Sequence, residues 1–379
     1  MSDPNLHAAL GPAAPIALHH VTSPSARIPS LDGLRAVAIV MVLISHASHT
    51  LPQNPWAQRF AFTFGNPALG VSLFFVVSGY LITRLLLLEL DATGTISLKD
   101  FFFRRAFRIL PAYWCYLAFC ICLWAFGVRP WRPLELAAAV AFVTDYAHVQ
   151  DWLLGHTWSL SVEEQFYVLW PFTLRGAGRV RATRIAIAIM VLTPLLRAFV
   201  FVVHPDGRAT IEFTGHLRAD CLMFGCLAAL LENSARFRSM CEWAQASKVH
   251  YLGGIFIVLW LPRIKNLYSN PFTYALSDSI VAAILTLWVL ALIRNPASVA
   301  GRAMNAPAIV FVGTISYSLY LWQQPFFTPT PLGVVSTFPL NALVIAAAAA
   351  VSYFLIERPA LGLRRRIQSH AVMQIAPAG

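Results

Sequence analysis

Long apolar runs recur along this chain, near residues 32–50, 68–90, 110–127, 157–174, 185–203, 217–233, 249–262, 278–293, 308–327 and 338–357. An α-helix needs about 17 to 25 such residues to cross the hydrocarbon of a bilayer, and only the run at 249–262 is short for that. The chain is 58% hydrophobic and 12% charged, with mean hydropathy +0.63, against about 25% charged residues in an average soluble domain. These features predict an all-α, polytopic transmembrane bundle.

A further apolar piece at 134–146 would make an eleventh span. Parity argues against it, because "RGAGRVRATR" at 175–184 would then face outward, against the excess of Lys and Arg in cytoplasmic loops. A re-entrant or surface-lying segment there leaves ten spans with both termini cytoplasmic. Eighteen of the 28 Lys and Arg then lie inside and six outside, with Arg35, Arg84, Arg197 and Arg218 in or at the edge of the spans. The expected organisation is a disordered cytoplasmic tail over 1–29, one membrane domain over 30–360 and a basic cytoplasmic tail over 361–379. Residues 1–27 lack the charged start and apolar core of a signal peptide.

The net charge of +11 does not argue for nucleic acid, since the basic residues fall in short clusters between apolar runs, where they face anionic lipid. The six cysteines (115, 120, 122, 221, 226, 241) have neither zinc spacing nor a disulfide rhythm and read as small buried hydrophobes. His7, His19 and His20 are too sparse for a metal site, and no metal is expected.

Five polar groups interrupt the apolar text. In "SLDGLRAVAIVMVLISHASH", Arg35 and His46 are eleven residues apart, which places them on one helical face, about 16 Å apart along the axis. Polar groups at such depth face a bundle interior or a wet cavity; a snorkelling Arg and a His bonded to a neighbouring helix is the plainer alternative. In "SLKDFFFRRAFRILPAYW", Arg104, Arg105 and Arg108 sit on a basic helix expected to end at Pro111, with Arg104 and Arg108 on one face. The cluster suits either anionic lipid or a phosphate clamp. "HTWSLSVEEQFYVLWP" puts Glu163, Tyr167 and Trp170 on one face with Ser159 a turn earlier. Glu164, about 100° away, reads as solvated by headgroups. Asp220 opens another span, and Arg218, two residues before it, faces the opposite way, so any partner of Asp220 comes from another helix. Tyr317, Tyr320 and Gln324 form a polar stripe that interfacial aromatics would explain equally well.

Taken in order, "LDGLRAVAIVMVLISH", "GVSLFFVVSGYLITRLL", "FFFRRAFRILPAYW", "HTWSLSVEEQFYVLWP", "RADCLMFGCLAAL" and "ISYSLYLW" resemble the motifs of the acyltransferase-3 family of bacterial integral-membrane O-acyltransferases. They run from about residue 30 to 360. The resemblance implies a ten-helix enzyme of the bacterial cytoplasmic membrane that takes an acyl group, usually acetyl, from cytoplasmic acyl-CoA and places it on a hydroxyl. The acceptor would be a glycan, a lipid-linked sugar or a macrolide-like molecule. No permanently bound cofactor is implied; acyl-CoA is the donor substrate.

By that resemblance His46 is the essential catalytic residue, with Glu163 beside it. Arg35, Arg104, Arg105 and Arg108 would handle the coenzyme, and Asp32, Ser78, Trp158, Ser159, Tyr167, Asp220, Tyr317 and Gln323 would support the site. Many relatives have His where this chain has Gln323. Many glycan-modifying relatives also carry an extracytoplasmic hydrolase-like domain after the last helix, whereas this chain stops soon after "IERP", which suggests the single-domain branch. His46 would act as general base towards the acceptor hydroxyl, or accept the acyl group itself and relay it, with Glu163 stabilising the imidazolium. The competing class is a transporter or flippase lined by the same polar groups, but the paired Gly/Pro-broken helices of inverted repeats are not evident.

Overall fold

The computed structural model describes residues 28–52, 54–130, 132–147, 149–256, 270–328 and 333–375, and every regular element in them is helical. In chain order these include α1 (Pro29–Ala47), α2 (Pro55–Phe64), α3 (Pro67–Thr93), α4 (Leu98–Ala125), α5 (Pro133–Val140), a single turn α6 (Trp152–Gly155), α7 (Thr157–Val203) and α8 (Ala219–Leu231). They continue with α9 (Ala235–Ala246), α10 (Val249–Ile255), α11 (Pro271–Arg294), α12 (Val299–Met304), α13 (Pro307–Thr314), α14 (Ser316–Trp322), α15 (Leu340–Ser352) and α16 (Arg358–Ile375). A π-helical turn, Tyr353–Glu357, joins the last two.

The expected tail over 1–27 and the end of the run at 249–262 lie outside the described residues. Among the described residues, six stretches are long and apolar enough to cross a membrane: Pro29–Ala47, Pro55–Thr93, Leu98–Ala125, Trp152–Val203, Pro271–Arg294 and Leu340–Ser369. α7 alone would be about 70 Å long at 1.5 Å per residue, over twice the hydrocarbon thickness. It is broken at Gly178, whose φ of 72° and ψ of 172° no helix tolerates, so it holds two of the expected apolar runs with the basic stretch 175–184 between them. α5, with 8 residues, reaches only about 12 Å, so the 134–146 piece is not a full crossing.

Local signals explain where helices begin. Asn54, Asn66 and Asn270 each accept a backbone N–H three residues on, each followed by a proline in the first helical turn, and Ser97 caps α4 in the same way; these residue types stabilise exposed helix starts. One expectation fails. The basic helix does not end at Pro111 but continues to Ala125, because neighbouring helices can re-satisfy the single hydrogen bond that a proline removes in a membrane bundle.

Small residues set the packing. A Cβ at Gly79 would strike the Leu222 carbonyl of α8, and one at Gly225 the Val76 carbonyl of α3, so the two backbones approach as closely as small-residue interfaces in membranes permit. α1 lies against α3 and α13, with Ala38 and Ile39 wholly buried. Its polar residues therefore face protein.

Candidate active site

An open cavity lies between α1, α3, α4, α7 and α14. Three guanidinium groups line it: Arg35 from α1, and Arg105 and Arg108 from α4. Arg35 is 3.5 Å from Asp32 one turn earlier. Arg108 is 3.7 Å from the buried Glu357 carboxylate and donates to the Thr314 carbonyl at 3.5 Å. Arg105 makes no ion pair among the described residues; its guanidinium lies over the rings of Tyr167 (5.5 Å) and Phe101 (5.8 Å). The facing pair on α4 is thus 105 and 108. Arg104, expected to share the face of Arg108, turns away to Glu89 at 2.9 Å and does not line the cavity.

The α7 wall carries Ser159, Glu163, Glu164 and Tyr167. Ser78 of α3 donates to Glu163 Oε1 at 2.5 Å, and its hydroxyl is 3.4 Å from that of Tyr167. Glu163 is therefore held by Ser78 and does not bond the imidazole it was expected to support. Glu164 corrects the sequence reading more sharply: it lines the cavity, and its Oε1 is shut off from solvent with no hydrogen-bond partner. The 100° separation of adjacent helical residues did not put it in the headgroups, because α4 and α14 enclose that side of α7. Tyr317 also lines the cavity and donates to the Ile109 carbonyl at 3.0 Å.

At one end of the cavity Tyr320 donates to the His156 carbonyl (2.9 Å) and meets the Ser159 hydroxyl (2.7 Å). The His156 ring packs on Tyr320 and Tyr116, at 5.3 and 5.4 Å between centroids. It is 3% exposed, and neither ring nitrogen has a hydrogen-bond partner, although backbone of Leu153 and Leu321 lies beside it. His156 is thus a core residue close to His46.

His46 occupies the last turn of α1 and is not itself in the cavity lining. Its ring turns inward: Nδ1 is 2.8 Å from Gln323 Oε1, and Trp152 packs edge-on at 5.5 Å. Gln323 Nε2 donates to Gln324 Oε1 at 3.0 Å, which leaves its oxygen as the acceptor. His46 Nδ1 therefore carries the proton and Nε2 keeps a lone pair. Gln323 is thus the residue that orients the imidazole. His49, past the helix end, also packs on Trp152 (4.9 Å), and burial lowers its pKa.

Two expected residues lie elsewhere. Trp158 packs between Phe75 and Phe213. Asp220 receives two hydrogen bonds from Arg197 of α7, at 2.7 and 3.2 Å, in a closed group with Arg218 and Asp278 of α11. Its partner does come from another helix, but neither residue lines the cavity. Arg197 was visible only as a charge inside a span; nothing in the spacing linked it to Asp220.

The fold and site together define a helical membrane protein with a cationic cavity next to a buried, oriented imidazole. The chain belongs to the acyltransferase-domain family, whose model matches residues 28–357, as the six motifs indicated. It is 27% identical over 361 residues to the peptidoglycan O-acetyltransferase OatA of Listeria monocytogenes, covering 88% of this chain and 55% of that protein. To the O-acetyltransferase OatA of Staphylococcus aureus strain NCTC 8325 it is 27% identical over 366 residues, 88% of this chain and 57% of the relative. A protein of Staphylococcus aureus strain COL, provisionally named an O-acetyltransferase, is 30% identical over 370 residues, with the same 88% and 57% coverage. The chain thus spans a little over half the length of these curated relatives. No solved structure matches it.

Proposed function

We propose that this protein is an O-acyltransferase of the bacterial cytoplasmic membrane. It moves an acyl group, acetyl in the first instance, from cytoplasmic acyl-CoA to a hydroxyl of a glycan or related acceptor. The observation that carries the reading is the pairing of a three-arginine cavity with an imidazole whose Nδ1–H is tied to Gln323 and whose Nε2 is free. Acyl-CoA is a polyanion on a long thin arm. Arg35, Arg105 and Arg108 offer planar forks for its phosphate oxygens, and the thioester then points past the Ser159–Tyr320 pair towards His46.

In the direct route, His46 Nε2 takes the proton of the acceptor hydroxyl as its oxygen attacks the thioester carbon. The C–O bond forms, the C–S bond breaks, and the proton passes to the leaving sulfur. Base catalysis of this kind contributes about 10²- to 10⁴-fold. In the relay route, Nε2 attacks the thioester carbon and the C–S bond breaks to release the thiolate; the acceptor oxygen then attacks the acyl carbon, the C–N bond to the imidazole breaks, and the hydroxyl proton passes to the thiolate. Gln323 serves both routes by holding the tautomer. Glycan acceptance is supported by the peptidoglycan named for the Listeria relative.

His46→Ala should abolish acyl transfer in membranes while expression and membrane insertion stay intact; undiminished activity in that variant would reject the assignment. Radiolabelled acetyl-CoA without acceptor separates the routes, a covalent adduct on His46 marking the relay and its absence during turnover the direct transfer.

A further inference from the structure

Glu164 is the group that the reaction above leaves unused. Its carboxylate lines the donor cavity, and its Oε1 is buried with no donor directed at it. Its neighbour on the chain is differently placed, since Glu163 already accepts from Ser78. The contacts of Arg108 run to Glu357 (3.7 Å) and the Thr314 carbonyl (3.5 Å) and not to Glu164, and Tyr317 spends its hydroxyl hydrogen on Ile109. A buried acceptor that the protein leaves unsatisfied carries a penalty, which a ligand bearing an N–H or O–H would remove.

The position of Glu164 in the cavity narrows the ligand. Arg105 and Arg108 occupy the α4 side and the Ser159–Tyr320 pair the end nearest His46, with Glu164 on the α7 wall that runs between them. On a coenzyme A donor, the part between the phosphates and the thioester is the pantetheine arm, whose polar donors are two amide N–H groups and one hydroxyl.

We propose that Glu164 Oε1 accepts a hydrogen bond from a pantetheine amide N–H, fixing how far the arm inserts and so where the thioester stops relative to His46. This rests on the acyl-CoA reading above and adds a subsite to it. No covalent step is involved.

The test is equilibrium binding to the purified full chain in detergent, using coenzyme A and adenosine 3′,5′-bisphosphate, which has the nucleotide phosphates but no pantetheine. Glu164→Leu should weaken coenzyme A by about tenfold, the upper range of an ordinary buried hydrogen bond, and leave the bisphosphate unchanged. Glu164→Gln, which keeps an acceptor oxygen, should fall between Glu164→Leu and wild type. For the wild-type protein, coenzyme A methylated at both amide nitrogens should lose a similar factor, and this arm needs no folded variant. Unchanged coenzyme A binding by Glu164→Leu, a parallel loss of both ligands, or full affinity for the methylated analogue would overturn the subsite alone. Failure of wild-type protein to bind coenzyme A at all would overturn the donor reading, and the subsite with it.

Discussion

Two groups of buried charges sit in this membrane domain, and they are built on opposite principles. In the buried group around Arg197, that residue has an acceptor for each of its guanidinium N–H groups, namely the Ala275 and Leu217 carbonyls, both oxygens of Asp220, and Ser279, while Arg218 beside it leaves its Nε without one. Arg218 adds Asp278 at 2.6 Å and Ser72 at 2.7 Å. Two arginines and two aspartates cancel, and α3, α7, α8 and α11 are tied together. In the cavity, Arg105 has only aromatic faces, Arg35 and Arg108 have loose partners, and Glu164 has an idle oxygen. An ionisable group is costly at this depth. A closed, paired group answers that cost within the protein; an open, unpaired one leaves the answer to a ligand.

Breaking the closed group should give the largest stability effect. Arg197→Ala leaves Asp220 buried without its partner, a change that typically costs about 3–5 kcal/mol, read as a loss of folded protein in detergent thermal unfolding. Arg197→Met with Asp220→Leu should recover most of it, because replacing a whole buried pair is close to neutral. If the double variant is as unstable as the single one, the group is more than a clasp.

Gln323 sharpens the comparison from the side of the reaction. Gln323→Leu removes the acceptor of His46 Nδ1–H and should lower kcat by about tenfold or more, the worth of a hydrogen bond that holds one tautomer, with thermal stability little changed. Gln323→Glu, which keeps an acceptor oxygen, should retain more activity than Gln323→Leu. Equal losses in both would remove the tautomer argument.

Arg105→Ala should do the reverse of Arg197→Ala. It leaves the unfolding temperature near wild type but raises the KM for acyl-CoA about tenfold, as expected for one charge-assisted phosphate contact. A thermal loss matching that of Arg197→Ala would show that the cavity arginines are structural too. The exposed Arg179–Asp91 pair, 3.0 Å apart, sets the lower bound: Asp91→Asn should change stability by about 1 kcal/mol or less.

The sequence showed an all-helical chain rich in membrane-spanning apolar helices and which helix face carries Arg35 and His46, because period and spacing act within one element. It also placed Ser78, Ser159, Glu163, Tyr167 and Tyr317, all of which reach the cavity. What it could not show were relations between helices. The bonds of Gln323 to His46, of Arg197 to Asp220 and of Ser78 to Glu163 join residues 277, 23 and 85 positions apart. Glu164 was misread for the same reason, since its surroundings are supplied by α4 and α14. Arg104 was misplaced because the i, i+4 rule pairs it with Arg108, whereas the cavity selects 105 and 108, three apart.

The central claim is that the donor enters from the face carrying Arg105 and Arg108 and reacts at His46. Sealed native membrane vesicles of known orientation, supplied with labelled acetyl-CoA on one side only, test this directly. The account predicts label on membrane-associated acceptor only when acetyl-CoA meets the arginine face, and none with His46→Ala. Transfer from the opposite face, or full transfer by His46→Ala, would contradict it.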